Sequence, residues 1–465
     1  MIRRVLVLSA LAVAACTMPP PASSQGDIND PRFISLLAYV KDQMERYDIP
    51  GAEVAVVENG VLTSSAGLGF ERHGGATQVS PSTLFRVASL SKMVLAATAM
   101  KLGEEGSLEV SQPITDYVPL TLAPPFVPST ISVANLLTHS SGIPDFGVDS
   151  SCSTGSGELA AWFAANGNQP LWTPPGQVWN YSNQGYAVAG WAVEAASGQA
   201  FEDAVAQRVF ATAGMSTATY DPNAAAAADH AVGRYGGADL EINAYDCEAT
   251  RPPAGVIASA VDYAHFAEAL LAGGGSMLSP ASVAAMETGY IDTDQVPNGG
   301  ERYGYGIEVR DGWKGLHVLR HNGSDHGYQS SIWMVPDQKF AAIVFYNTDS
   351  REPEDAAARA VDIYLGVQNV SGPVDTTPVA AWGPYVGTYL DPINLGPVTV
   401  TIDDGKLHAS LPTFGVTDLT LTQSGGDTFE AKLDGEDGAA TFYPGPKGPA
   451  QWLVTRSGVA ARVGD

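Results

Sequence analysis

Apolar residues recur along this chain at two different periods. Over Pro31–Tyr47, Leu36, Leu37, Val40 and Met44 fall at helical spacing and predict an opening helix. Residues 52–70 alternate instead, around Asn59-Gly60, the sequence of a tight hairpin turn. Residues 90–102 hold Ala, Leu, Met and Lys with no Gly or Pro. They predict a helix bounded by Gly103 and Gly106, with Ser89 at its start, where serine is favoured as a cap. Residues 110–260 mix helices with Pro/Gly loops; 185–210 and Ala260–Leu271 are the clear helices, and 222–255 reads as an insertion or lid-like segment. Strand patterns return at 305–309, Tyr328–Val335 and Phe340–Tyr346, and a helix follows over Glu354–Leu365.

The pattern changes again after a Gly/Pro/Thr linker at 371–377. Short alternating runs at 398–402, 407–411, 419–421, Thr428–Leu433 and 440–443, with Asp404-Gly405 at one turn, predict a separate all-β domain over 375–465. An up-and-down barrel or a sandwich fits this meander.

Composition narrows the picture. With 24 Lys+Arg against 50 Asp+Glu, the chain carries a net charge of −26. Such a surface repels phosphate backbones, so nucleic acid is not an expected partner. At the N-terminus Arg3 and Arg4 precede an apolar run too short to span a bilayer. Small residues then lead to Val13-Ala14-Ala15-Cys16, which resembles the bacterial lipoprotein box. Residues 1–15 are therefore expected to be a signal peptide and Cys16 a lipidated first residue. Residues 16–30, Pro/Ser-rich from Pro19 onward, would tether the protein to the periplasmic face of a membrane, expected to be the outer one. Cys152 and Cys247 leave a disulfide open. The eight histidines are scattered and no HExxH or CxxC occurs, so neither a metal nor another cofactor is expected.

Three short segments carry candidate chemistry. In Val87-Ala88-Ser89-Leu90-Ser91-Lys92, a helical start puts Ser89 and Lys92 on one face. A serine hydroxyl needs an adjacent base, and Lys92 can serve only if burial or a neighbouring cation lowers its pKa. In Tyr181-Ser182-Asn183, Tyr181 can relay a proton and Asn183 can offer an amide donor to a substrate carbonyl. In His321-Asn322-Gly323, the glycine permits close approach of a substrate backbone, and the next N–H, on Ser324, can complete an oxyanion hole with that of Ser89. His139 reads as a structural turn residue. Asp325 and His326 beside Ser324 are not expected to form a triad, since no GxSxG elbow is present. Trp162, Trp172, Trp179 and Tyr186 fit either a cleft lining or a core.

SxxK, YxN and HxG in this order resemble the serine β-lactamase and penicillin-binding-protein superfamily, in particular its class C-like branch of D,D-peptidases, D-aminopeptidases and esterases. Leu136-Leu137-Thr138-His139-Ser140-Ser141-Gly142-Ile143-Pro144-Asp145 is similar to a stretch typical of that branch, as are residues 181–186 and 253–260. The resemblance implies an α+β domain over 31–370, an antiparallel sheet flanked by helices plus an all-helical lobe, and a lipocalin-like appendage after it. It makes Ser89 the acylated nucleophile and assigns Lys92 and Tyr181 the proton work, with the choice of base left open. It places Asn183, His321, Gly323 and Ser324 in the substrate site. His321 stands where β-lactamases usually carry lysine. A lysine there is cationic and suits a β-lactam carboxylate, whereas a histidine is mostly neutral near pH 7, which favours cleavage of a D-peptide, a peptidoglycan-like peptide or a small ester over a true β-lactamase. A protonated His321 would bind a substrate carboxylate. A non-catalytic envelope protein on the same fold is the remaining alternative.

Overall fold

The computed structural model describes residues 24–463 apart from 124–126, 146–154, 156, 167, 169, 294–299, 368–378, 426, 434–435, 445–447 and 457. The signal and lipidation residues, Cys16 included, lie outside the described residues, as does Cys152. Cys247 is disulfide-bonded.

Nine antiparallel strands form the main sheet. In chain order they are β1 (Ser24–Gly26), β2 (Gly51–Glu58), β3 (Val61–Gly69), β4 (Ile291–Asp292), β5 (Glu301–Tyr303), β6 (Glu308–Trp313), β7 (Leu316–Asp325), β8 (Tyr328–Val335) and β9 (Phe340–Tyr346). Their spatial order is β1-β3-β2-β9-β8-β7-β6-β5-β4, so N- and C-terminal parts of the domain meet at the β2–β9 pair. The predicted hairpin is β2–β3, and Asn59 and Gly60 both take positive φ, as a primed turn requires. On one face pack α1 (Pro31–Tyr47) and α6 (Glu354–Leu365), burying Phe33, Leu36, Val40, Ala357 and Val361 against Val54, Val56, Trp333 and Val344. On the other face lie α2 (Ser91–Glu104), α3 (Val133–Leu137), α4 (Asn183–Ser197) and α5 (Ala260–Leu271), which belong to one large core with Ala55, Ile332, Ile343 and Phe345. This is the α+β arrangement expected, with the helical lobe on the side that carries the site.

Three expectations are corrected. The helix read over 185–210 breaks at Gly198, which adopts φ +66° and closes α4 with its N–H on Glu194 O. The helix after Ser89 begins at Ser91; Ser89 sits in a 3₁₀ turn, Ala88–Leu90, and caps nothing with its hydroxyl. Residues 222–255 do not stand off the body. Tyr328 O–H donates to Ala231 O, and the buried Arg86 guanidinium donates to the carbonyls of Ile242 and Tyr245.

The C-terminal domain closes into an eight-stranded barrel: β10 (Gly387–Asp391), β11 (Gly396–Asp403), β12 (Lys406–Leu411), β13 (Val416–Gly425), β14 (Thr428–Leu433), β15 (Glu436–Pro444), β16 (Ala450–Thr455) and β17 (Gly458–Arg462). Each strand pairs with its sequence neighbour, and β10 pairs with β17. Tyr389, Val398, Val400, Leu407, Phe429 and Phe442 fill the interior. Closure leaves no free sheet edge.

Candidate active site

Ser89 is held at a sharp bend. Ala88, just before it, has φ +49°, unusual for a residue with a side chain. Val87 N–H donates to Val256 O, Ser330 Oγ donates to Val87 O, and Ser91 Oγ donates to Ala88 O, so the bend is tied down on three sides. Ser89 itself is half-buried.

Two groups converge on its oxygen. Tyr181 O–H donates to Ser89 Oγ at 2.7 Å, and Lys92 Nζ lies 3.0 Å from the same atom. Lys92 is fully buried, with Nζ also 2.8 Å from Asn183 Oδ1 and 3.1 Å from Pro253 O. Asn183 Nδ2 donates to Asp145 Oδ2 at 3.3 Å, which orients the amide with its oxygen toward the lysine. The backbone N–H of Asn183 donates to Asp145 Oδ1. Asn183 is therefore not an unengaged donor: one of its two side-chain N–H bonds is spent on Asp145, and only the other is left for a substrate.

The electrostatics separate the two candidate bases. Burial pushes the Lys92 ammonium well below its ordinary value of 10.5; Asp145 opposes this and the Arg456 guanidinium adds to it. Burial pushes the Tyr181 phenol upward, against the pull of Arg456 and the Ser89 bond. Burial also raises the Asp145 carboxyl, with the Asn183 N–H and Lys92 holding it back. Tyr181 is thus a phenol that donates, and Lys92 is the group whose neutral form burial favours. Asn183 Oδ1 and Pro253 O can only accept, so they take the two N–H bonds of a neutral amine and leave its lone pair toward Ser89.

His321 has the neutral character expected of a histidine near pH 7 rather than that of a carboxylate-binding imidazolium. It is fully buried in β7, with Nδ1 2.6 Å from Asn322 O and Nε2 2.8 Å from Tyr303 O–H. The carbonyl fixes the proton on Nδ1, and the phenol donates to Nε2. Burial, with help from Lys92, holds its pKa well below 6.5. This imidazole is neutral with both nitrogens engaged, and it is not a cation for a substrate carboxylate. Gly323, two residues along the same strand face, has a tighter duty than the sequence indicated. A Cβ there would stand 2.3 Å from both Ser330 Oγ and Val87 O, and 3.1 Å from Ser89 N. The close approach is to the nucleophile's own turn. Gly323→Ala must displace that turn, and kcat/KM is expected to fall about 100-fold, as misplacing a reacting group by roughly 1 Å does. Steady-state kinetics on a folded variant check this; activity within threefold of wild type would show that the strand does not set the position of Ser89. Ser324, next to Gly323, is exposed, and its Oγ accepts from Gln329 Nε2 at 2.9 Å.

His139 is structural, as its setting indicates. It takes φ +56°, accepts from Ser182 N–H at Nδ1, and its ring lies 4.3 Å from that of Tyr181, 4.7 Å from Tyr186 and 4.8 Å from Tyr303. It thereby positions the Tyr181 ring. Trp179 and Tyr186 are core in the same cluster; Trp172 donates to the barrel's Asp391 and Trp162 packs on Phe163. His326 pairs with Asp325 and packs against Tyr235 and Tyr245, away from any triad with Ser324. Sequence reasoning did not single out Asp145, Pro253, Tyr303 or Arg456. Asp145 and Pro253 lay inside family-like stretches that could have drawn attention to them; Tyr303 and Arg456 had no local signal. Among the described residues no group of three or more His, Cys, Asp or Glu is arranged to hold a metal ion.

Comparison with known proteins identifies the family of the domain that carries this site. The family model described as Beta-lactamase matches residues 36–365, and a domain of unknown function, DUF3471, matches 371–458. Penicillin-binding protein 4 of Amycolatopsis lactamdurans is 30% identical over 327 residues, covering 65% of this chain and 84% of its own length. A putative penicillin-binding protein, PbpX of Bacillus subtilis (strain 168), is 27% identical over 261 residues, covering 55% of this chain and 61% of its own length. Among solved structures, SurE with D-Leu superimposes with a TM-score of 0.74 at 24% identity, covering 93% of this chain and 99% of that one. The octameric penicillin-binding protein homologue from Pyrococcus abyssi gives 0.67 at 21%, covering 92% and 99%. At those identities the structural likeness is one of fold.

Proposed function

Because the chain belongs to the beta-lactamase family, and is thereby a serine hydrolase of amide or ester bonds, we propose that it cleaves a D-peptide, a peptidoglycan-like peptide or a small ester through an acyl-enzyme on Ser89. The observation that carries this reading is the placement of Ser89 Oγ between Tyr181 O–H at 2.7 Å and a buried lysine amine at 3.0 Å. Ser89 Oγ attacks the carbonyl carbon while its proton passes to Lys92 Nζ. The N–H groups of Ser89 and Ser324 receive the developing oxyanion. The C–N or C–O bond then breaks, and the departing atom takes a proton from the Lys92/Tyr181 pair. Water returns a proton to that pair as it attacks the acyl carbon; the acid leaves and Ser89 regains its hydrogen.

The neutral, buried His321 supports peptide or ester cleavage over a dedicated β-lactamase. The intact Ser89, Lys92 and Tyr181 geometry argues against a purely binding role. Export, with lipidation at Cys16, belongs to the same proposal and rests on the N-terminal sequence alone. The test is a panel of p-nitrophenyl acetate, a D-Ala-D-Ala peptide and nitrocefin on the mature protein. Ester or peptide turnover at least tenfold above that of nitrocefin in kcat/KM is expected. The reverse order would make the protein a β-lactamase, and no turnover of any of the three would favour a binding protein.

A further inference from the structure

Beside Tyr181 stands a cation to which this chemistry gives no direct part, and it comes from the other domain. Arg456 occupies the turn between β16 and β17 of the barrel. Val454 and Val459, on the strands flanking that turn, pack against Val178, three residues before Tyr181. Trp172 Nε1–H donates to Asp391 Oδ1 at 3.2 Å, and Asn394 Nδ2 donates to Asp145 O at 2.8 Å. These contacts seat the barrel on the segments that carry Asp145 and Tyr181. They set the Arg456 guanidinium 4.5 Å from the centroid of the Tyr181 ring, whose hydroxyl touches Ser89.

The neighbouring cations are committed elsewhere. Lys92 Nζ is placed on Ser89, Asn183 and Pro253. His321 is neutral with both nitrogens bonded. Arg320 is buried on Glu301 at 2.8 Å, Glu308 at 3.0 Å and Glu354. For Arg456 the one carboxylate within 4.0 Å among the described residues is Glu308, at 3.9 Å, and Arg320 already holds that group. Half of the Arg456 side-chain surface stays exposed. A guanidinium presents a planar fork of donors that matches a carboxylate in two parallel bonds, and it acts most strongly where an aromatic wall excludes water.

We propose that Arg456 binds a carboxylate of the substrate, so that the C-terminal barrel completes the specificity site and selects acyl compounds bearing a free acid beside the scissile bond. The α-carboxylate of a C-terminal residue and the free acid of a dicarboxylic half-ester both have this chemistry. The inference rests on the hydrolase reading above. It gives the barrel a function within the reaction, and it assigns to a second domain the positive charge that His321 does not supply.

The test compares matched pairs on the full chain: N-acetyl-D-Ala-D-Ala-D-Ala against its C-terminal amide, and mono-p-nitrophenyl glutarate against p-nitrophenyl butyrate. Wild type is expected to favour the acid in at least one pair by tenfold or more in kcat/KM. In Arg456→Met that acid-to-neutral ratio falls toward one, chiefly through KM, and Arg456→Lys restores part of it. A ratio unchanged while both members slow together would overturn the proposal, because Arg456 would then act only through Lys92 or by seating the barrel. A measurement on unmutated protein guards against a misfolded variant: N-acetyl-D-alanine should protect Ser89 from a fluorophosphonate probe at lower concentration than N-acetyl-D-alanine amide. Equal protection by the two, with no acid preference in either pair, overturns the proposal. A wild-type protein that neither labels nor turns over any of the four compounds defeats the hydrolase reading itself, whereas a labelled, active enzyme without acid preference defeats only this inference.

Discussion

Ser89→Ala is expected to abolish labelling by an active-site serine probe and to lower ester or peptide hydrolysis by about 10⁴- to 10⁶-fold, the range seen when the nucleophile of an acyl-transfer site is removed. The size of the effect follows from where the hydroxyl sits. Its oxygen is the meeting point of Tyr181 O–H and Lys92 Nζ, and no second hydroxyl stands within hydrogen-bond reach of that lysine among the described residues. The fold should survive the change. Ser89 caps no helix with its side chain, since α2 begins at Ser91, and the bend is tied down through Val87, Ala88 and Ser91. Tm is therefore expected to stay within a few degrees of wild type, corresponding to about 1 kcal/mol for one altered hydrogen-bond group. Labelling by a fluorophosphonate and near-UV circular dichroism, measured on the same sample, separate loss of chemistry from loss of structure. A folded variant that still labels would place the nucleophile elsewhere and sink the assignment.

How much of this was legible beforehand depends on whether a feature is local in sequence. Ser89 and Lys92 are three residues apart, and Tyr181 and Asn183 two apart, so one turn or one helix start fixes each pair, and their types could be read. The alternation of β2 and β3, the short apolar runs of β8 and β9 and the Asn59-Gly60 turn were equally clear, because apolar patterning and turn chemistry are properties of short windows. The short strands β4 and β5 were not, since two or three residues carry no period. Gly198 was visible as a residue but not as a stop, because a lone glycine is tolerated inside helices. What escaped altogether was assembled by tertiary packing. Tyr303 reaches His321 from a neighbouring part of the sheet and fixes its tautomer, and this turns a candidate cation into a neutral acceptor. Arg456 arrives from a domain whose sequence had shown no chemistry, on a barrel turn aimed by Val454, Val459 and Trp172. Periodicity locates elements; it does not reveal which side chain from a distant element will face the nucleophile.

The choice between Lys92 and Tyr181, which the motifs left open, becomes a measurable difference between two substitutions. If Lys92 takes the proton of Ser89, Lys92→Met and Lys92→Arg should both lose about 10³- to 10⁴-fold in kcat/KM, because neither offers an accessible lone pair at neutral pH. If Lys92 only lends its charge to Tyr181, arginine keeps the charge and should retain more than a tenth of the activity. The geometry favours the first outcome: two carbonyl oxygens hold two amine N–H bonds, and the phenol is a donor to Ser89. The pH profile supplies an independent check. The working form of Lys92 is neutral, and burial depresses its folded-state pKa, so activity should rise with pH on a limb lying well below the ordinary lysine value of 10.5. That limb should vanish from the residual activity of Lys92→Met, and its survival there would assign it to Tyr181. The stability sign follows from the same shift. The unfolded chain binds the Lys92 proton more tightly than the folded one, so burying this lysine costs stability at neutral pH, a cost that disappears only as pH approaches the unfolded value. Methionine carries no such proton and has a similar unbranched shape. Lys92→Met is therefore expected to melt at or above the wild-type temperature near pH 7 while being nearly inactive, as befits a position kept for chemistry at the expense of stability.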